Sequence, residues 1–124
     1  MFTSGQAASI AGVSLRQLQW WDENALIMPR QEGHRRIYSG YDIFYAMIVA
    51  DLRRKGMSLQ RIRRIIKGLR KTTLPKKDGF LLIGHRAAIF QTKEQVIDAA
   101  KSSRGPVLLV SLADHFSKTS RLTR

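Results

Sequence analysis

Apolar residues recur with the period of an α-helix in four segments of the N-terminal half of the chain. The pattern predicts helices over residues 4–11, 15–24, 40–55 and 58–71. The last segment carries the clearest apolar stripe, which consists of Leu59, Ile62, Ile65, Ile66 and Leu69. A helix with one apolar face buries that face against a neighbour, so the four segments predict a small helical core.

Three of the predicted helices begin with the same local pattern. A hydroxyl side chain stands three positions before a side chain that can bond back to it; the pairs are Thr3 with Gln6, Ser14 with Gln17 and Ser39 with Asp42. Ser58 stands in the same place before the fourth helix. Gly12 can adopt the positive φ of a tight turn between the first two helices, and Gly56 can end the third.

The second predicted helix contains two adjacent tryptophans. Neighbouring residues on a helix point about 100° apart, so only one of Trp20 and Trp21 can face the core directly. We expect that tryptophan to be buried together with Leu15 and Leu18. The other tryptophan either belongs to the core as well or lies against the hairpin that follows or a bound partner.

A basic hairpin follows this helix. Pro29 ends the helical pattern, and residues 28–38 predict two short strands whose tip lies at residues 31–34. Arg35 and Arg36 come directly after the tip. Two short helices joined by a tight turn and followed by a hairpin form the arrangement of a winged helix-turn-helix.

The period of the apolar positions changes after residues 72–79, a segment whose composition is typical of a linker. Beyond it the sequence predicts a ββαβ module. Its expected elements are strands at 80–84 and 87–91, a helix at 93–102 and a strand at 106–112. The predicted fold class is therefore α+β.

The predicted domains are a winged helix-turn-helix at 1–71 and the small module at 80–124, which ends in a polar tail. A module of about 45 residues seldom forms a stable core alone. We therefore expect it to pack on the fourth helix or on a second copy of itself. Within its helix, Val96, Ile97 and Ala100 are expected to face inward.

The charge of the chain favours a polyanionic partner. Among 124 residues, 22 lysines and arginines stand against 9 acidic residues, which gives a net charge of +13. Most of the excess, +10, falls within residues 1–77. Such a surface attracts nucleic acid through counterion release and long-range steering.

Other compositional features narrow the class of protein. The absence of cysteine excludes disulfides and thiolate zinc sites. We see no signal peptide and no apolar run near the roughly 20 residues of a membrane span, so we expect a cytoplasmic, nucleoid-associated protein without a membrane partner. His34, His85 and His115 are scattered, and no catalytic motif stands out. We expect no metal, no cofactor and no enzymatic activity.

Residues 2–71 resemble the MerR family of bacterial transcription regulators. Five motifs occur in the family's order: Ala-Gly-Val-Ser at 11–14, Leu-Gln-Trp-Trp-Asp at 18–22, Ala-Leu-Ile-Met-Pro at 25–29, Arg-Ile-Tyr-Ser at 36–39 and Lys-Gly-Met-Ser-Leu at 55–59. The resemblance implies a winged helix-turn-helix that regulates transcription as a homodimer on an inverted repeat in double-stranded DNA. RNA polymerase is a further candidate partner, and the effector is unidentified.

The chain departs from the family pattern at three positions. Gln19 replaces the usual arginine of the recognition helix, Trp21 replaces a tyrosine, and Ala25 replaces a glycine. The family's long dimerisation helix also has no counterpart in this sequence. We therefore expect DNA affinity to depend more strongly on Arg16, Arg35 and Arg36.

The candidate DNA contacts lie on the second helix and on the hairpin. Arg16 can donate two bonds to guanine, Gln17 can pair with adenine, and the two wing arginines suit phosphate. Tyr38 either donates to a phosphate or packs against the second helix. The full set is Ser14, Arg16, Gln17, Gln19, Trp20, Arg35, Arg36 and Tyr38. A solvated surface is the alternative for the charged members.

Two other functions fit the same sequence. An architectural, excisionase-like protein would bend DNA with the same wing and helix. An interaction module would instead use the ββαβ part to bind a protein or a small molecule, with the basic domain as a tether. Cooperative arrays of direct repeats would favour the former, and a promoter response that depends on residues 78–124 would favour the latter.

Overall fold

The computed structural model describes residues 1–71, 79–84 and 87–112. The predicted linker at 72–78, the predicted tail at 113–124, and His85 and Arg86 lie outside the described residues. In chain order the elements are α1 (Ser4–Ala11), α2 (Leu15–Glu23), β1 (Arg30–Glu32), β2 (Arg35–Ile37), α3 (Gly40–Arg54), α4 (Leu59–Leu69), β3 (Phe80–Ile83), β4 (Ala87–Phe90), α5 (Lys93–Lys101) and β5 (Leu108–Ser111). The α+β fold class is confirmed.

Local hydrogen bonds set the helix starts as the sequence predicts. The hydroxyl of Ser14 accepts from the backbone N–H of Gln17 at 3.1 Å, and the Gln17 side chain accepts from the N–H of Ser14 at 3.1 Å. The same reciprocal pair begins α1 and α3, and Ser58 caps α4. A fourth pair, Thr92 with Gln95, begins α5 and was not predicted.

Left-handed glycines end α1 and follow α3. Gly12 has φ of 72° and Gly56 has φ of 85°. At the second turn, the N–H of Gly56 donates to Arg53 and the N–H of Met57 donates to Leu52, at 3.0 and 3.1 Å. These bonds satisfy carbonyls that the end of a helix leaves unpaired. Gly12 thus makes the tight turn that brings α2 across α1.

The hairpin of β1 and β2 is anchored to the start of the chain. Arg30 pairs with Ile37 and Glu32 with Arg35 in an antiparallel register. Directly after β2, Tyr38 exchanges two backbone hydrogen bonds of 2.8 Å with Phe2. The hairpin is therefore fixed at its base, while its tip projects from the helices.

The C-terminal strands form a three-stranded antiparallel sheet in the order β4-β3-β5. One face of the sheet packs on α4, as expected. Side chains from both parts belong to a single apolar cluster, which includes Ile62, Ile66, Leu69, Leu81, Ile83, Val110 and Leu112. This shared core joins the sheet to the helices. The division into two separate domains therefore stays a prediction.

Two apolar side chains expected to be inward are exposed. Leu15 is 47% exposed and Ile97 is 52% exposed. In each helix the buried residues define the inward direction: Leu18 and Trp21 in α2, and Val96 in α5. Leu15 and Ile97 lie roughly 90° and 100° from those directions at about 100° per residue, so each falls at the edge of its helix's buried face.

Membrane insertion finds no support in the helices of the described ranges. The longest of them, α3, has 15 residues, and none is long and apolar enough to cross a bilayer.

Candidate nucleic-acid interface

The outer face of α2 presents polar and aromatic side chains to solvent. Leu18 and Trp21 are buried and fix the inner face, whereas Arg16, Gln19 and Trp20 are exposed on the opposite side. Trp21 is therefore the core tryptophan and Trp20, at 42% exposure, the surface one. The structure thus brings three of the candidate contacts onto one helix face.

The first turn of α2 restricts what Gln17 can read. Its Oε1 already accepts from the N–H of Ser14, and its own N–H donates to the Ser14 hydroxyl. Pairing with adenine uses both the oxygen and the nitrogen of a glutamine amide. Gln17 must therefore leave or share its capping bond to bind adenine. The polar groups of Ser14 and Gln17 hold the helix start in place, and the side chain of Arg16, which lies between them in sequence, is exposed.

An ion pair joins the wing to α2. Nε of Arg36 donates to Oδ2 of Asp22 at 2.6 Å, and the two side chains are only 26% and 19% exposed. Partial burial keeps water and salt from screening such a pair fully. The sequence predicts that Arg36 contacts phosphate, whereas the structure gives this side chain a partner inside the protein. Arg35, by contrast, is exposed on the hairpin.

Tyr38 lies in the core and not on the basic surface. Its side chain is 0% exposed, and its hydroxyl has no hydrogen-bond partner of good geometry. Burial raises the pKa of the phenol above 10.0, and the nearby carboxylate of Asp22 adds to this shift. The neighbouring Ser4 hydroxyl opposes the shift without completing a hydrogen bond. The expected phosphate contact of Tyr38 does not fit this burial, and the packing alternative does.

The turn after α2 contains a strained residue. Ala25, which stands where the family has glycine, adopts φ of 58°. Guanidinium groups of α4 and its cap hold the carbonyls on both sides: Arg63 donates to Asn24 at 3.0 Å, and Arg70 donates to Leu26 at 2.9 Å. The left-handed region costs a residue with a Cβ roughly 1 kcal/mol. The two arginines thus hold a turn that glycine would adopt without strain.

A shallow groove runs along the inner edge of this surface. It has a volume of ≈ 300 Å³ and is lined by Ser14, Arg16, Gln17, Trp20, Trp21, Arg53 and Leu59. Arg53 at this edge donates to the carbonyl of Met57 at 3.1 Å. The basic surface therefore continues from α2 to the turn between α3 and α4.

Metal binding finds no support in residues 1–71, 79–84 and 87–112, which contain no group of three histidine, cysteine or acidic side chains that could hold an ion. His34 lies at the exposed hairpin tip. His85 and His115 lie outside the described residues.

The tight turn, the exposed face of α2 and the hairpin beside it define a winged helix-turn-helix protein. Comparison with family models identifies the family. The model of MerR HTH family regulatory proteins matches residues 2–69, which is more than half of the sequence. The chain belongs to the MerR family, and the resemblance drawn from its five motifs is confirmed.

Curated relatives carry the same class of name. Uncharacterized HTH-type transcriptional regulators of Mycobacterium bovis and of two strains of Mycobacterium tuberculosis are each 29% identical to the chain over 106 residues. The matched region is 80% of this chain and 47% of each relative. The chain therefore spans about half the length of the curated relatives it matches.

A solved structure is similar in fold. It is the crystal structure of HiNmlR, described as a MerR family regulator lacking the sensor domain and bound to promoter DNA. The TM-score is 0.52 at 26% sequence identity, over 58% of this chain and 56% of that one. The fold predicted from the sequence agrees with this likeness.

Three features of the site were not predicted from the sequence. They are the exposure of Leu15 at the start of α2, the Arg36–Asp22 ion pair, and the bonds that Arg63 and Arg70 donate to carbonyls after that helix. Arg63 and Arg70 lie far along the sequence from the carbonyls they bind, so no local pattern predicts these bonds.

Proposed function

We propose that the chain binds double-stranded DNA with sequence preference and regulates transcription from it. α2 enters the major groove with Arg16 directed at base edges, and the wing places Arg35 on the flanking phosphates. The proposal extends to a homodimer on an inverted repeat, because two-fold protein symmetry matches two-fold operator symmetry. It also includes action in the cytoplasm, on the nucleoid, with RNA polymerase as a further partner.

The observation that carries this proposal is the ion pair that joins α2 to the wing. The half-buried Arg36–Asp22 pair fixes the hairpin relative to the exposed face of Arg16, Gln19 and Trp20. A helix and a wing held at one spacing present two contacts that a duplex can accept together. The solved relative bound to promoter DNA supports the same use of the fold.

The direct test measures binding to the upstream region of the chain's own operon. Fluorescence anisotropy compares that duplex with a shuffled duplex of equal length at several salt concentrations. We expect preference for the upstream duplex of at least about a thousandfold at moderate salt. Affinity should also fall steeply with salt, since each neutralised phosphate adds about −0.9 to the logarithmic slope.

Charge reversal checks the docking. Arg35→Glu should weaken binding strongly, whereas Arg104→Glu, which reverses an exposed arginine that belongs to neither α2 nor the wing, serves as the matched control. Solution mass with and without the duplex tests the dimer. Equal affinity for the upstream and shuffled duplexes would contradict sequence-specific regulation. Cooperative binding to direct repeats outside promoters would instead favour the architectural function.

A further inference from the structure

The first residue of α2 is a leucine that the fold does not bury. Leu15 follows the cap Ser14, precedes Arg16 and is 47% exposed. A single exposed leucine is ordinary on a protein surface. Its position singles it out, because the N-terminal end of a recognition helix is the part that approaches base edges.

The exposed residues of α2 include two pairs, each with its members four positions apart. One pair contains Arg16 and Trp20, and the other contains Leu15 and Gln19; all four side chains are exposed. Residues at this spacing lie above one another on a helix. Each pair therefore combines a hydrogen-bonding side chain with an apolar one, and Leu15 is the apolar member nearest the helix start.

Only one base offers an apolar group in the major groove. Thymine carries a C5-methyl there, whereas the other edges present donors and acceptors. An aliphatic side chain cannot satisfy those polar groups and would displace water from them, which disfavours the other bases. The chemistry of Leu15 thus matches a methyl group and rejects a polar edge.

We propose that Leu15 is a specificity-determining residue that packs against a thymine methyl beside the base pair that Arg16 contacts. This inference rests on the proposed function, since it requires α2 to enter the major groove. It predicts a thymine at one defined position of each half-site. It also explains why an aliphatic side chain stays in solvent on a helix whose inner face is already filled by Leu18 and Trp21.

The test begins with selection of preferred sites from a random duplex library by the full chain. Each thymine of the selected site is then replaced in turn by uracil, which removes only the methyl group. We expect one thymine per half-site at which uracil weakens wild-type binding about fourfold, the effect of one lost apolar carbon contact. Leu15→Ala should bind the thymine and uracil duplexes there with equal affinity.

A second leucine provides the matched control. Leu109 on β5 is 49% exposed and lies outside the proposed DNA surface. Leu109→Ala should keep the wild-type sensitivity to uracil. Thermal melts of both variants verify folding, which the exposure of both side chains favours.

The outcomes separate the two proposals. If the library yields no preferred site, the proposed function fails, and the inference fails with it. If a site is selected but no thymine methyl affects binding, the inference alone is overturned. The same holds if Leu15→Ala retains the wild-type loss on uracil substitution. A methyl effect that disappears only in Leu15→Ala supports the inference.

Discussion

α2 and α4 both carry arginines, but the structure uses them in opposite ways. On α2, Arg16 projects from the outer face into solvent. The larger basic set belongs to α4 and its C-terminal end and consists of Arg61, Arg63, Arg64, Lys67, Arg70 and Lys71. Three of these arginines donate to backbone carbonyls elsewhere in the protein, at Gly84, Asn24 and Leu26.

The comparison shows that arginines in a dense row of cations can serve the protein's own backbone. A guanidinium group has five donors and no acceptor, so it can satisfy carbonyls that loops leave unpaired. In α4 this property stabilises the turn after α2 and the end of β3. Arg16 is the one arginine of α2 and is exposed to solvent, where its donors can reach another molecule.

The largest effects are expected from removing one arginine of each kind. Arg16→Ala should lower affinity for the preferred duplex by about tenfold to a hundredfold, because it removes the proposed base contact. It should leave the free energy of unfolding nearly unchanged. Arg70→Ala should lower that free energy by about 2 kcal/mol, since it removes a charged hydrogen bond. Anisotropy and urea unfolding measure the two quantities.

Arg70 also contributes through an aromatic ring. Its guanidinium carbon lies 5.4 Å from the ring centre of Tyr45, a contact that adds to the hydrogen bond. Arg104→Ala is the control for both measurements. The distinction between the helices would be lost if Arg70→Ala lowered affinity as much as Arg16→Ala while stability stayed constant.

A smaller effect is expected at the link between α2 and the wing. Asp22→Asn should lower the free energy of unfolding by about 1.5 kcal/mol, because Arg36 loses its charged partner. The variant gains net positive charge, so electrostatics alone predicts tighter DNA binding. A positioning role for Asp22 predicts weaker binding to the preferred duplex and unchanged or tighter binding to a shuffled one. Improved affinity for both duplexes would exclude that role.

The next effect concerns the turn that α4 holds. Ala25→Gly should raise the free energy of unfolding by about 1 kcal/mol, because glycine adopts positive φ without a steric penalty. Ala88→Gly is the control, since Ala88 lies in β4 with ordinary strand geometry and should lose stability. Chemical denaturation compares the two variants. A destabilised Ala25→Gly would show that flexibility in the unfolded chain outweighs the strain.

The smallest effect at neutral pH is expected for Tyr38→Phe. The variant removes a buried hydroxyl without a good partner, so stability should stay within about 1 kcal/mol of wild type, on the stabilising side. DNA affinity should not change. A large loss of DNA affinity with unchanged stability would instead support a phosphate contact by Tyr38.

The same variant has a signature in alkaline solution. Burial raises the pKa of Tyr38 in the folded chain above its ordinary value of 10.0, so the unfolded chain ionises first as pH rises. The stability due to neutral Tyr38 is present below pH 10 and is lost as pH rises toward the raised value. Tyr38→Phe should reduce this loss. Burial also raises the pKa of Tyr45, so this residue accounts for the alkaline loss of stability that remains in the variant.

Short-range patterns predicted much of the fold. The caps of α1 to α4, the turns at Gly12 and Gly56 and the strands of the sheet depend on neighbours a few residues apart. The sequence displays such neighbours directly. Leu18 of α2 is buried as the periodicity predicts, and Arg16, Gln19 and Trp20 are exposed together.

Long-range contacts decided the features that the sequence could not reveal. Periodicity placed Leu15 inward, but the inner face is centred on Leu18 and Trp21 and does not reach the first residue. Arg36 meets Asp22 only because the hairpin folds back on α2. Tyr38 is buried where its backbone pairs with Phe2, a residue at the start of the chain.

The apolar cluster shared by α4 and the C-terminal sheet has a practical consequence for truncation. Removing everything beyond residue 79 would uncover the side of α4 that holds Ile65 against Ile83 and Ala87. Such a fragment would expose apolar surface and self-associate. Its altered DNA binding could then be mistaken for the loss of a regulatory module. Single replacements on the outer side of the sheet are therefore the sounder way to ask whether a signal reaches α2 from this end of the molecule.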